Sequence, residues 1–223
     1  MSSMRHTSIF YKLICVVLCA AMLVPLTACG ETRKSQREVY AMDTIMTLTA
    51  YGNNADAGLD AAESIILSMD SALDPELSTS TTYAINHAQG GSTVISGQIA
   101  RMISTAHTVY QQSEGALDLT LYPLVKRWGF VDGKYYVPTA AEISEDLSRL
   151  CFGQIVLTSF PASGSYSVSL PSYGELSFAS VAKGCAADNA IEAMRQAGVT
   201  SGIISLGGNV QTLGLKTDGT EWN

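Results

Sequence analysis

The densest run of chemically useful residues lies between Leu176 and Asp188, LSFASVAKGCAAD. Its order reads as a strand end, a run of small side chains, and a helix that starts near Lys183-Gly184. Free backbone N–H groups at a helix start attract phosphate, and a nearby Lys adds a full positive charge. Ala179, Ser180, Ala182 and Gly184 are small enough to let a ligand approach the backbone. The spacing is neither a Walker loop nor GxGxxG. The same residues serve equally well as a packed strand-to-helix turn.

Two shorter segments carry related signals. Ser113 to Asp118 lies just past a helix end and places backbone amides and one carboxylate in a turn. Asp118 can cap the next helix or hold a ligand hydroxyl or amine, and the residue pattern leaves both open. Ser205-Leu206-Gly207-Gly208-Asn209 reads as a tight turn after a strand. It also suits a backbone lying close to a flat ring.

Composition excludes several function classes. The net charge of −7 gives no general attraction to nucleic acid, whose phosphates need a basic surface. There is no CxxC or HExxH, and His87 and His107 stand alone beyond the N-terminus, so a His-rich zinc site is excluded. Cys151 and Cys185 are too few for a disulfide scaffold; they can pair in an oxidising compartment or stand as two separate buried thiols, and the sequence leaves both open.

The N-terminus reads as an export signal. Arg5 and Lys12 precede an apolar run from Leu13 to Val24, short against the roughly twenty residues of a bilayer span and of signal-core length. It leads into Leu26-Thr27-Ala28-Cys29, which resembles a bacterial lipobox. The expectation is a lipoprotein signal peptide over residues 1–28 and a lipidated Cys29. A tether over 29–38 would then hold the chain on the extracytoplasmic face of the cell membrane.

The elements that must position these segments follow from periodicity. Val39 to Gly52 reads as an opening strand with a turn after it. Leu59, Ala62, Ile66, Met69 and Leu73 fall at helical spacing, so a helix over about Ala55 to Ala72 is expected, ended by Asp74-Pro75. Ser78 to Gly91 is polar and loop-like. A second helix starts near Gly97, capped by Ser96, with Ile99, Met102, Ala106 and Val109 as its inner stripe. A short helical piece surrounds Pro123, and Thr139 with Glu142 has capping-box spacing for a further helix through Leu150. Strands are expected over Gln154–Thr158, Ser165–Leu170, Glu175–Phe178, Thr200–Leu206 and Thr212–Lys216, with a helix over Ala182–Ala197. This mixture of helices and antiparallel strands is an α+β fold, without a repeat or linker to divide it.

Taken in order, the motifs resemble the ApbE-like flavin transferases. Met42-Asp43-Thr44 matches the opening methionine motif, with Asp43 where the family usually has Gly. Gly115-Ala116-Leu117-Asp118 is similar to G-A-[FL]-D, and Trp128-Gly129-Phe130 matches W-G-F. Ala182-Lys183-Gly184 with Asp188 resembles A-K-G-x-x-x-D, and Leu206-Gly207-Gly208-Asn209 resembles L-G-G-[DN]. The likeness runs from about Val39 to Asn223 and implies an ApbE-like, T-fold-related fold over 39–223.

The resemblance also implies an activity. Family members bind FAD, split its pyrophosphate with Mg²⁺, and attach the FMN half to a Thr of an acceptor protein, releasing AMP. Met42, Ala116, Leu117, Asp118, Ser177 and Lys183 fall on FAD-contacting positions, and Ser180 falls on a metal-ligand position. No catalytic residue is assigned. Two departures stand out: Ser177 replaces the family's usual Asp, and Ser78 to Asn86 is a loose version of its S-T-Y region. The chain is also expected to stop before the domain is complete, at Glu221-Trp222-Asn223, ahead of the family's remaining metal ligands. A non-catalytic lipoprotein that binds FAD or another anionic small molecule, or an inactive remnant, is the alternative.

Overall fold

The structure, a computed structural model, describes residues 32–223. The expected signal peptide over 1–28, Cys29 and the first residues of the tether lie outside the described residues.

Two strands stand where one is expected. β1 (Lys34–Ala41) and β2 (Thr44–Tyr51) pair antiparallel, from Lys34 opposite Tyr51 to Ala41 opposite Thr44. Lys34 to Glu38 are therefore strand and not tether. Met42 and Asp43 alone connect the two, both at positive φ, 49° and 57°. This is the backbone that lets a two-residue turn follow the strand twist. Neither residue is the Gly or Asn that usually announces such a turn, which is why the sequence reads as one long strand.

α1 (Ala55–Leu73) buries Leu59, Ala62, Ile66, Met69 and Leu73 on one face. It ends where Asp74 turns extended, at φ −68° and ψ 115°, as a residue before Pro must. The expected loop that follows contains α2 (Thr81–Asn86), whose first turn is capped by Ser80 Oγ accepting from Tyr83 N at 2.9 Å. Ser80 was the available signal for it. β3 (Ser92–Ile95) leads into α3 (Gly97–Gln112), capped by Ser96 as expected. Its inner stripe is Ile99, Met102, Ile103 and Ala106, while Val109 faces out.

A 3-10 turn over Leu119–Leu121 runs into α4 (Tyr122–Arg127), and α5 (Ala140–Leu147) opens with the complete Thr139–Glu142 capping box. β4 (Val156–Phe160) and β5 (Ser165–Ser169) follow, then α6 (Ala179–Gln196), β6 (Ser201–Leu206) and β7 (Asn209–Leu213). All pairings are antiparallel, in a four-stranded sheet ordered β1-β2-β6-β7 and a three-stranded sheet ordered β3-β5-β4. The expected α+β class stands.

α1 and α6 pack against each other and cover one face of the larger sheet, where Met46, Leu48, Ala50, Ile204 and Leu206 are buried. Small residues permit the close approach. A Cβ on Gly58 would lie 2.3 Å from Val199 Cγ2, and Ala186, Ala187 and Ala190 are buried on the facing helix.

Glu175–Phe178, expected as a strand, joins neither sheet. Its backbone is satisfied otherwise. Asn86 takes Leu176 N at 2.9 Å with Oδ1 and donates Nδ2 to Leu176 O at 2.9 Å, while Ser177 N donates to Leu119 O at 3.0 Å. Extended backbone needs partners, and here a side chain and a turn supply them.

Candidate functional site

A cleft of about 410 Å³ opens between the β1–β2 turn, the end of α1 and the start of α6. Its walls include Met42, Asp43, Asp70, Asp74, Ser177 and Lys183. Three of the expected ligand-contacting residues, Met42, Ser177 and Lys183, thus meet in one place although up to 141 positions separate them in the chain.

The turn that carries Met42 is fixed from behind. Met42 N donates to Asp70 Oδ1 at 2.8 Å, tying the left-handed turn to the last stretch of α1. L-residues in that conformation cost roughly 1–2 kcal/mol each, so the anchor holds a conformation the chain resists. Asp43 tolerates it better than most, because a short polar side chain suits the left-handed region. That is a physical reason for Asp to stand where Gly is the usual residue.

α6 starts at Ala179, three residues before the expected Ala182. Lys183 therefore sits in the second turn of the helix, and its charge reaches the cleft through the side chain. Ser177 Oγ accepts from Ala179 N at 3.2 Å, so Ser177 steadies the helix start as a carboxylate would, without the charge. Lys183 forms no ion pair among the described residues. Its arm lies against the β6–β7 turn: a Cβ on Gly207 would sit 3.0 Å from Lys183 Cε and 2.9 Å from Thr44 Cγ2. Gly207 and Gly208, at φ 58° and 93°, form the tight turn the sequence predicts.

Ala116, Leu117 and Asp118 do not line this cleft. Ala116 is exposed and Leu117 packs on the core. Asp118 is buried and caps the following turn, accepting from Thr120 N at 2.7 Å and Thr120 Oγ1 at 2.6 Å. Thr120 Oγ1 in turn accepts from Cys151 N at 2.9 Å. The residue after this segment reaches the cleft, as Leu119 O receives Ser177 N at 3.0 Å. Asp188 is exposed and binds Gln211 Nε2 at 2.6 Å, linking α6 to β7.

Ser180 is exposed on the first turn of α6. Among the described residues no group of three or more His, Cys, Asp or Glu side chains could hold a metal ion. Mg²⁺ prefers near-octahedral oxygen coordination with one or two carboxylates, and Ser180 with its neighbours does not fit it. Cys151 and Cys185 are free thiols, the first buried and the second half-buried. Burial pushes both thiols up from their ordinary pKa, so neither is poised as a nucleophile.

Sequence reading missed Tyr40, Asp70, Asp74 and Pro75, which also line the cleft. Asp70 follows the buried Met69 on α1, but its task emerges only once Met42 is known to sit in a turn.

Comparison with known proteins agrees with this architecture. The ApbE family model matches residues 42–223. The FAD:protein FMN transferase of Salmonella typhimurium is 25% identical over 93% of this chain and 63% of its own length. That of Klebsiella pneumoniae is 35% identical over 60% of this chain and 42% of its own. The chain thus spans less than two thirds of the length of these curated relatives. Two crystal structures share the fold. The Pseudomonas stutzeri flavinyl transferase ApbE has a TM-score of 0.76 and 22% identity, over 88% of this chain and 64% of that one. The ApbE protein from Thermotoga maritima has a TM-score of 0.75 and 19% identity, over 84% and 61%. With the five sequence motifs folded into one α+β unit and the family match spanning most of it, the chain belongs to the ApbE family.

Proposed function

We propose that this chain binds FAD in the cleft of Met42, Ser177 and Lys183 and serves the transfer of its FMN half to a Thr of an acceptor protein, with AMP as the other product. The observation that carries the reading is the charge pattern of the cleft. Lys183 and the start of α6 lie on one side, and Asp43, Asp70 and Asp74 on the other. A helix start and a Lys favour a phosphate centre, while carboxylates favour hydroxyl and amine donors. FAD has this combination: a pyrophosphate between polyhydroxylated arms, one ending in an adenine amine. The names of the curated relatives support the same reading.

In transfer to a Thr, the acceptor hydroxyl oxygen forms the new bond to the FMN phosphorus. The bond from that phosphorus to the bridging oxygen breaks, AMP leaves, and the hydroxyl proton is released. Lys183 would offset charge on the pyrophosphate, and the Met42 turn would fix its position. Mg²⁺, expected for such a reaction, finds no fitting site among the described residues, so no step is routed through it. A second reading, in which the chain binds FAD without turnover, rests on the same charge pattern of the cleft. The exported, lipid-anchored location rests on the lipobox at Cys29, and loss of a lipid mass in Cys29→Ser would support it.

The test is incubation of the chain with FAD and a Thr-containing acceptor protein, following AMP release and covalently attached flavin. Both products support the transferase. Bound FAD without either supports the binding protein, and absence of FAD binding overturns both.

A further inference from the structure

The helices α1 and α6 cover one face of the larger sheet, and the opposite face carries an apolar strip. Val39, Ala41 and Met46 are buried on the helix side, so strand alternation turns Tyr40 and Ile45 outward. These two stand directly opposite each other in the β1–β2 register and are 69% and 65% exposed. The next row of the same face runs through Glu38, Thr47, Ser205 and Val210 across all four strands, and Val210 is 57% exposed. The water-facing side of an antiparallel sheet is ordinarily polar. Here its apolar residues gather at the end that carries the β1–β2 and β6–β7 turns, which is the end where Lys183 sits. Tyr40 belongs to both surfaces, since it also lines the cleft. Glu38 and Asp43 flank the strip, both exposed. Neither is in an ion pair among the described residues.

We propose that this strip docks the acceptor protein through an extended segment, which lays an apolar side chain on Tyr40 and Ile45 and a Lys or Arg against Glu38 and Asp43. The inference rests on the transfer reading above and adds the surface on which the acceptor is held. The reacting hydroxyl must come within bonding reach of a phosphate at Lys183, whose arm lies against the Gly207 position beside Thr44. A protein that reaches that point has to rest on the rim of the cleft, and Tyr40 with Ile45 gives this rim exposed apolar area. The apolar contact supplies affinity, while the two carboxylates select the sign of the partner's charge. They also disfavour a second copy of this chain, whose own carboxylates would meet them across a two-fold contact. Strand residues are already ordered, so docking costs little on this side of the interface.

The experiment measures, by fluorescence anisotropy, the binding of short labelled synthetic peptides to the FAD-loaded full chain. Each peptide has a central Thr; one carries Val and Lys beside it, a second Val and Glu, a third Ser and Lys. The Val–Lys peptide is expected to bind at least about tenfold tighter than either of the others. Ile45→Thr, which keeps a strand-forming residue, should cut that affinity at least about fivefold and retain wild-type FAD affinity. Glu38→Lys should reverse the preference towards the Val–Glu peptide, a swap that a folding defect does not produce. Equal binding of the three peptides, or an unreversed preference in Glu38→Lys, overturns the proposal and leaves FAD binding standing. A wild-type dimer in sedimentation that Ile45→Thr converts to monomer overturns it as well and assigns the strip to a second copy. Failure of the wild-type chain to bind FAD overturns both this inference and the reading it rests on.

Discussion

Lys183 Cε lies 3.0 Å from the point where a Cβ on Gly207 would stand. The β6–β7 turn is therefore part of the seat of the cleft's cation, and the two glycines of that turn are not equivalent. A Cβ on Gly208 meets nothing within 4 Å. Both substitutions to Ala impose a left-handed penalty of roughly 1–2 kcal/mol, so urea unfolding should show similar losses. Only Gly207→Ala should also weaken FAD binding, because the new methyl displaces Lys183 or Thr44. Equal FAD affinity in the two variants would remove Gly207 from the site.

The Met42–Asp43 turn makes a prediction of opposite sign. Asp43→Gly relieves a positive φ of 57° and should leave stability unchanged or raise it by up to about 1 kcal/mol. Asp43→Val, β-branched at the same φ, should lower it by about 2 kcal/mol. Denaturant midpoints decide this, and a stable Asp43→Val would show that the turn differs from the one described.

Asn86 replaces sheet pairing for Leu176 with two hydrogen bonds of 2.9 Å. Asn86→Ala should cost about 2–3 kcal/mol, since it strands both backbone groups. Asn86→Asp keeps the acceptor for Leu176 N and loses the donor, so it should fall between. If Asn86→Asp were less stable than Asn86→Ala, the paired arrangement would be wrong.

Acid should loosen the segment that carries Trp128-Gly129-Phe130. Arg127 Nη2 donates to Asp146 Oδ1 at 2.8 Å, and this hydrogen bond holds the Asp146 carboxyl below the usual carboxylate range. A carboxyl lowered on folding contributes stability above its unfolded pKa and loses it as pH falls through the folded value. Thermal midpoints should therefore drop below about pH 4, and Asp146→Asn should lower the midpoint at neutral pH while flattening that acid limb. An unchanged acid limb would assign the loss to other carboxylates.

Much of this fold was legible because its signals are local. The Thr139–Glu142 box, the Ser96 cap, the Asp74-Pro75 stop and the paired glycines at 207 and 208 each act through neighbours in sequence. Met42 carries no turn signature and Asp43 only a weak one, so the hairpin was hidden; the left-handed backbone at Met42 is held by Asp70, twenty-eight positions away. The strand expected at Glu175–Phe178 failed for a similar reason, since the partners of its backbone come from Asn86 and Leu119. The site was legible where a motif residue itself faces the cleft, as with Lys183. It was not where the task of a residue depends on tertiary contact, as with Asp70.

FAD titration of the wild-type chain, Lys183→Ala and the exposed-strand control Lys34→Ala decides whether Lys183 holds an anionic ligand in this cleft. The expected result is at least about a tenfold loss of affinity in Lys183→Ala and none in Lys34→Ala. Equal FAD affinity in all three proteins would contradict it.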